Sequence, residues 1–99
     1  MMYIKIHEAY RRVIALADSE LIGKTFTEGM QQIEVRPNFF KGEEKNKKET
    51  IDILQDMNKE DATFFIVGKE SIQCALNAKI ISQKGVIEIE KVPVALGLF

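Results

Sequence analysis

Thr63-Phe64-Phe65-Ile66-Val67-Gly68 runs directly into Lys69-Glu70-Ser71-Ile72-Gln73-Cys74-Ala75-Leu76, and this junction decides the fold. The first five residues are strongly β-forming and predict a central strand, which Gly68 breaks. From Lys69 the period changes. Ile72, Leu76 and Ile80 recur at i, i+4 and i+8, so the spacing predicts a helix to about Ile81. At ~100° per residue, Cys74, Ala78 and Ile81 fall on nearly the opposite face. A helix apolar on two sides is covered on two sides, or meets a partner.

Downstream, Gly85 turns the chain. Val86 to Val92 sets Ile87 and Ile89 against Glu88 and Glu90, which predicts another strand. Pro93 interrupts it, and Val94-Ala95-Leu96-Gly97-Leu98-Phe99 is an apolar tail. The Phe64–Val67 strand, the helix and the Val86–Val92 strand fit a right-handed crossover with the two strands parallel.

Upstream, Asn46-x-x-Glu49 resembles a capping box, and Ile51, Leu54 and Met57 follow at helical spacing. This predicts an amphipathic helix over Glu49 to about Asn58. Residues 38 to 48 mix charges without an apolar period and read as a loop. Met30 to Arg36 alternates, so Ile33 and Val35 mark a third strand, ended by Pro37. Lys24 to Gly29 precedes it, with Phe26 reaching the core. Asp18 to Gly23 reads as one helical turn capped by Asp18 or Ser19. Met2 to His7 alternates, whereas Arg12 to Ala17 is nearly continuous apolar, as in a strand covered on both faces. Their short connection predicts a hairpin. Strands first, then helix–strand–helix–strand, give an α+β fold over residues 1–99. It has a mixed sheet of about five strands, two main helices and one short helical turn. The expected core is Ile4, Ile6, Val13, Ile14, Leu16, Ile33, Val35, Leu54, Phe65, Val67, Ile72, Leu76, Ile87 and Ile89.

A chain of 99 residues fits one domain, and 45% apolar with 29% charged residues is ordinary globular composition. A formal net charge of −1 excludes a strongly basic nucleic-acid coat or a polybasic membrane binder, though not a local patch. The single cysteine, Cys74, rules out an intramolecular disulfide and suits a reducing cytosol. With His7 the only histidine, a multi-histidine zinc site is excluded too. The N-terminus has no signal-peptide pattern, and no apolar run reaches the ~18 residues of a membrane helix. The expectation is a cytoplasmic protein with no metal or other cofactor and no membrane partner.

Candidate chemistry is sparse. His7 lies beside Glu8 but has no nucleophile elbow to serve, so a rim histidine is the simpler reading. Cys74 lacks an adjacent histidine or basic activator and reads as a buried structural thiol. Asp52 and Asp56, with Glu49 one turn earlier, form a solvated helix face. Gly23-Lys24-Thr25 fails as a P-loop, because Asp18 stands where glycine is required. Gly68 and Lys69, between strand and helix, form a possible anion site, since free N–H groups at a helix start attract anions. Arg11, Arg12, Lys24 and Arg36, with Phe39, Phe40 and Lys41, are the candidate RNA- or partner-binding set. Arginine and lysine grip phosphates, and exposed aromatics stack bases. In that reading Asp52, Asp56, Glu60 and Asp61 must face elsewhere.

An ordered set of short motifs adds a resemblance. Lys5-Ile6-His7 opens the chain, followed by Ala17-Asp18-Ser19-Glu20-Leu21-Ile22-Gly23-Lys24-Thr25-Phe26 and Glu28-Gly29. Phe40 and Gly42, then Val67-Gly68-Lys69-Glu70, and finally Val92-Pro93-Val94-Ala95 complete it. Over nearly its whole length the chain is similar to the archaeal domain-of-unknown-function family 424. The resemblance implies an archaeal cytoplasmic protein without an assigned activity, and a translation-related or RNA-binding role. Val94 stands where such proteins often carry histidine.

Three readings compete. The first is a noncatalytic module contacting RNA or a ribonucleoprotein. The second is a protein-interaction or homodimerisation module, resting on the two-faced helix and on Leu96, Leu98 and Phe99. The third and weakest is an enzyme using a carboxylate or the single histidine.

Overall fold

The structure, a computed structural model, describes residues 1–8, 10–57 and 62–98. Phe99, Asn58 at the expected helix end, and Glu60 and Asp61, expected to face away from a basic patch, lie outside the described residues. The strands are β1 (Met2–His7), β2 (Arg12–Asp18), β3 (Thr25–Glu28), β4 (Gln31–Glu34), β5 (Glu43–Lys45), β6 (Ala62–Val67), β7 (Ile87–Ile89) and β8 (Val92–Leu98). The helices are α1 (Pro37–Phe40), α2 (Lys47–Met57) and α3 (Lys69–Asn77). Single 3-10 turns occupy Ser19–Leu21 and Gln83–Gly85.

Six strands form a mixed sheet in the order β5-β1-β2-β6-β8-β7. The expected hairpin is present, with Met2 opposite Asp18 and His7 opposite Val13. The parallel pair is β2 with β6, which places Ala17 opposite Val67 and ends both strands at the same edge of the sheet. The expected crossover is present in direction, since β6 and β7 are both antiparallel to β8 and so run parallel to each other on either side of α3. They are not neighbours, because β8 lies between them. β6 is parallel to β2, and β8 returns antiparallel to β6. The predicted last strand splits at Glu90 and Lys91, both at positive φ, into the β7–β8 hairpin. Pro93 does not interrupt a strand, since it lies within β8 opposite Glu88. The apolar tail is an interior strand of the sheet.

The expected third strand lies outside this sheet. β4 pairs with β3 in a separate two-stranded hairpin. The stretch 38–48 is also more ordered than its composition suggests. Pro37 starts α1, and Glu43–Lys45 is an edge strand beside β1. A strand of only three residues rich in charge blunts a sheet edge against further pairing.

Each face of the sheet is packed differently. On the first face Met2, Ile4, Ile14, Leu16, Phe64 and Ile66 meet α2 and α3 through Leu54, Ile72 and Ala75. The two-sided helix α3 is covered by the sheet and by α2. On the second face Ala15, Ala17, Val67 and Val94 meet Ile33 and Val35 of the β3–β4 segment and Phe40 of α1. Arg12 to Ala17 reads as continuous apolar because β2 contributes to both layers. Fully burying a side chain such as Leu16 or Ile66 stabilises the fold by about 1.5–3 kcal/mol.

Two expected core residues are exposed. Ile6 is 37% exposed and Ile87 is 43% exposed. Val13, Phe65 and Leu76 are half-buried. Ile87 sits on the short edge strand β7, where the covering hairpin reaches only in part.

Candidate functional site

The second sheet face is only half covered. Across β6 and β8, Phe65 is directly opposite Leu96, and Val67 is opposite Val94. Residues paired this way point to the same side. Val67 and Val94 are buried beneath the hairpin, whereas Phe65 is half-buried and Leu96 is 54% exposed. Between Phe65 and the covering segment lies a hollow of about 450 Å³, lined by Gln32, Ile33, Glu34, Arg36, Phe39, Phe40 and Phe65. Its floor and two walls are apolar, and its rim is polar.

Local chemistry explains how α1 closes one side. Pro37 presets the first helical φ. Phe40 is buried in the second-face core. Phe39 stacks on His7 with ring centroids 4.6 Å apart and meets Phe65 edge-on at 5.5 Å. His7 Nε2 also lies 2.8 Å from the Phe39 carbonyl oxygen, and Lys5 donates to the Asn38 carbonyl at 2.7 Å. The only histidine is thus a brace for α1.

The candidate binding set is divided. Arg36, Phe39 and Phe40 line the hollow together, while Lys24 shares a smaller hollow of about 200 Å³ with Arg36. The backbone explains that approach, since Val35 donates to the Lys24 carbonyl at 2.8 Å. Arg11, Arg12 and Lys41 do not line either hollow. Arg12 pairs with Glu8 at 3.5 Å, Arg36 pairs with Glu34 at 3.0 Å, and Lys41 lies 5.9 Å from the centre of the Tyr3 ring. Phe40 is 2% exposed, so it offers no face to a nucleobase. Asp52 and Asp56 are on α2, on the other side of the sheet.

Gly68 and Lys69 sit at a different place, the carboxyl ends of β2 and β6. A hollow of about 370 Å³ there is lined by Asp18, Glu20, Leu21, Gly68, Lys69, Glu70 and Lys91 to Pro93. The helix start already holds an anion, the carboxylate of Asp18. It accepts the N–H groups of Glu70 at 3.1 Å and Ser71 at 2.8 Å, and the Ser71 hydroxyl at 2.7 Å. Asp18 makes no side-chain cap on the turn that follows it, contrary to expectation. Burial pushes the Asp18 carboxyl above its ordinary value, Glu20 adds to this, and the bonds from Ser71 and Glu70 oppose it. The Gly23–Thr25 segment lines the other, smaller hollow instead.

Cys74 is buried, with Sγ 3.7 Å from the Met2 sulfur, and burial raises its pKa. Among the described residues no group of three or more His, Cys, Asp or Glu side chains could hold a metal ion. Among them, too, no helix is long and apolar enough to cross a membrane. Sequence reasoning offers Leu96 for protein contact as part of the apolar tail, but assigns its neighbour Phe65 to the core. The alternation of β6 and β8 marks them as apolar positions, but not which half of the sheet stays open.

The architecture defines an α+β domain on a mixed sheet with one half-open face. The chain belongs to the family described as a protein of unknown function (DUF424), whose model matches residues 7–97. No curated protein matches the sequence significantly. The fold is similar to the crystal structure of an uncharacterized conserved protein from Methanopyrus kandleri. The TM-score is 0.84 at 16% identity, covering 98% of this chain and 90% of that one. The motif resemblance running from Lys5 to Ala95 is borne out by the family match.

Proposed function

We propose that this protein is a noncatalytic, cytoplasmic binding module that docks an apolar protein surface on the open half of its second sheet face. One observation carries the reading. Leu96 is 54% exposed beside Phe65, which floors a hollow of about 450 Å³ on the uncovered half of that face. Apolar hollows with a few polar rim groups are the usual form of a binding site. The rim carries the Glu34–Arg36 ion pair, which adds no net charge. A polyanion gains little attraction there, whereas an apolar side chain gains by leaving water. A binding role fits the remaining groups as well, since His7 braces α1 and the Cys74 thiol is buried.

A second reading, contact with RNA or a ribonucleoprotein in a translation-related setting, is favoured by Lys24 and Arg36 lining one hollow beside Phe39. Capture from native cell extract separates the two. The tagged protein, its Leu96→Lys variant and a Lys24→Glu/Arg36→Glu variant are compared, with and without ribonuclease. The protein-docking reading expects a ribonuclease-resistant partner that Leu96→Lys loses. A partner released by ribonuclease, and lost with the charge reversals instead, overturns it in favour of RNA.

A further inference from the structure

We infer that the occupant of the open sheet face is a second copy of this chain, seated about a two-fold axis with the two open faces stacked. The inference rests on the docking reading above and names its partner. The open half of the face is formed by the exposed Leu96 and Ile87 and the half-buried Val13, Thr63 and Phe65, none of them charged. Lys5 and His7, on the same side of β1, are engaged by α1. Leu96 and Ile87 are diagonal neighbours on β8 and β7, because Ile87 pairs with Val94. They are 54% and 43% exposed. An isologous interface needs a patch complementary to itself, and an uncharged apolar sheet surface meets that condition. Sheets stack face to face at about 10 Å by interleaving such side chains.

The charges point the same way. The rim places an acid and a base side by side, Glu34 and Arg36, with Oε2 and Nε 3.0 Å apart. Two-fold symmetry lets Arg36 of one copy meet Glu34 of the other, and the reverse, so the rim is complementary to itself. The formal net charge of −1 leaves almost no long-range repulsion between copies.

Sedimentation velocity of the full chain over a range of concentrations tests this. The parent should sediment as a dimer that dissociates on dilution. Leu96→Arg, at an exposed position, should be monomeric with an unchanged circular dichroism spectrum. Met30→Arg is the control, since Met30 is fully exposed at the β3–β4 turn, and it should dimerise like the parent. Arg36→Glu alone places like charges around the rim and should weaken the dimer by about tenfold at low salt. Combining it with Glu34→Arg reverses the rim without unbalancing it, and should restore the dimer. A parent that stays monomeric at every concentration overturns the inference. So does a Leu96→Arg chain that dimerises like the parent. If the parent is monomeric but still captures a ribonuclease-resistant, Leu96-dependent partner, the second copy is excluded while the docking reading stands. If that capture also fails, both fall.

Discussion

Asp18 and Ser71 lie 53 positions apart, yet one Asp18 carboxylate oxygen accepts both the Ser71 hydroxyl, at 2.7 Å, and the Ser71 N–H, at 2.8 Å. The other oxygen accepts the Glu70 N–H at 3.1 Å. The end of β2 is thereby tied to the start of α3, across the two parallel strands. Asp18→Ala leaves three donors without a partner in a site where Asp18 is 3% exposed. Losing a helix cap and stranding buried donors costs about 1–3 kcal/mol. Chemical denaturation should show a lower midpoint with an unchanged slope.

The pH dependence of this contact has a definite sign. The Asp18 pKa is raised in the fold, above all by burial. Its protonation therefore favours folding. That contribution is fully present below the ordinary carboxylate value and is lost as pH rises through the raised one. The stability of the parent relative to Asp18→Asn should fall as pH increases across this window. A relative stability that climbs with pH would contradict the assignment.

Gly68 is the complement of Asp18. Its φ is +110°, and an added Cβ would collide with the Asp18 carboxyl carbon. Gly68→Ala should destabilise by more than the ~1 kcal/mol that φ strain alone costs. Gly85 has nothing within 4 Å of the same virtual atom, so Gly85→Ala is the near-neutral control. Thermal melts of the two variants make the comparison.

Asn46 and Glu49 form a reciprocal cap on α2. Glu49 N–H donates to Asn46 Oδ1 at 2.9 Å, and Asn46 N–H donates to Glu49 Oε1 at 3.2 Å. Asn46→Ala should cost about 0.5–2 kcal/mol, measured by denaturation.

These contacts divide what the chain displays locally from what it does not. The Asn46–Glu49 cap was legible because both partners lie within one helical turn. The two-sided burial of β2 was legible from the unbroken run Val13 to Ala17. β3 was not, because Thr25-Phe26-Thr27-Glu28 offers a single apolar residue, so the alternation has nothing to repeat. β5 was hidden for a similar reason, since Glu43-Glu44-Lys45 owes its strand geometry to pairing with β1 rather than to its own propensity. The parallel partner of β6 and the recipient of the Asp18 cap are set by contacts some fifty positions distant. Of the candidate surface, Arg36, Phe39 and Lys24 were named from residue type. The sequence assigns Phe65 to the core and offers Leu96 for contact only as part of an apolar tail, because alternation reports which side a residue faces and not how far the covering layer extends.

Cys74 should behave as packing and not as chemistry. Its thiol is buried and its pKa raised, so the thiolate is scarce at neutral pH. A thiol reagent should label it rapidly only after unfolding, and Cys74→Ala should leave partner capture intact. Fast labelling of the native protein would show a reactive site.

The central claim is that the open face carrying Phe65 and Leu96 binds through apolar burial. The most direct measurement is the salt dependence of the captured complex. For a single-stranded nucleic acid held by about four phosphate contacts, a fourfold rise in salt lowers affinity roughly fiftyfold. Apolar association is unaffected or strengthened by salts excluded from protein surfaces. The account predicts retention that is flat or rising with salt and is lost in Leu96→Lys. A steep fall with salt that Leu96→Lys leaves unchanged would contradict it.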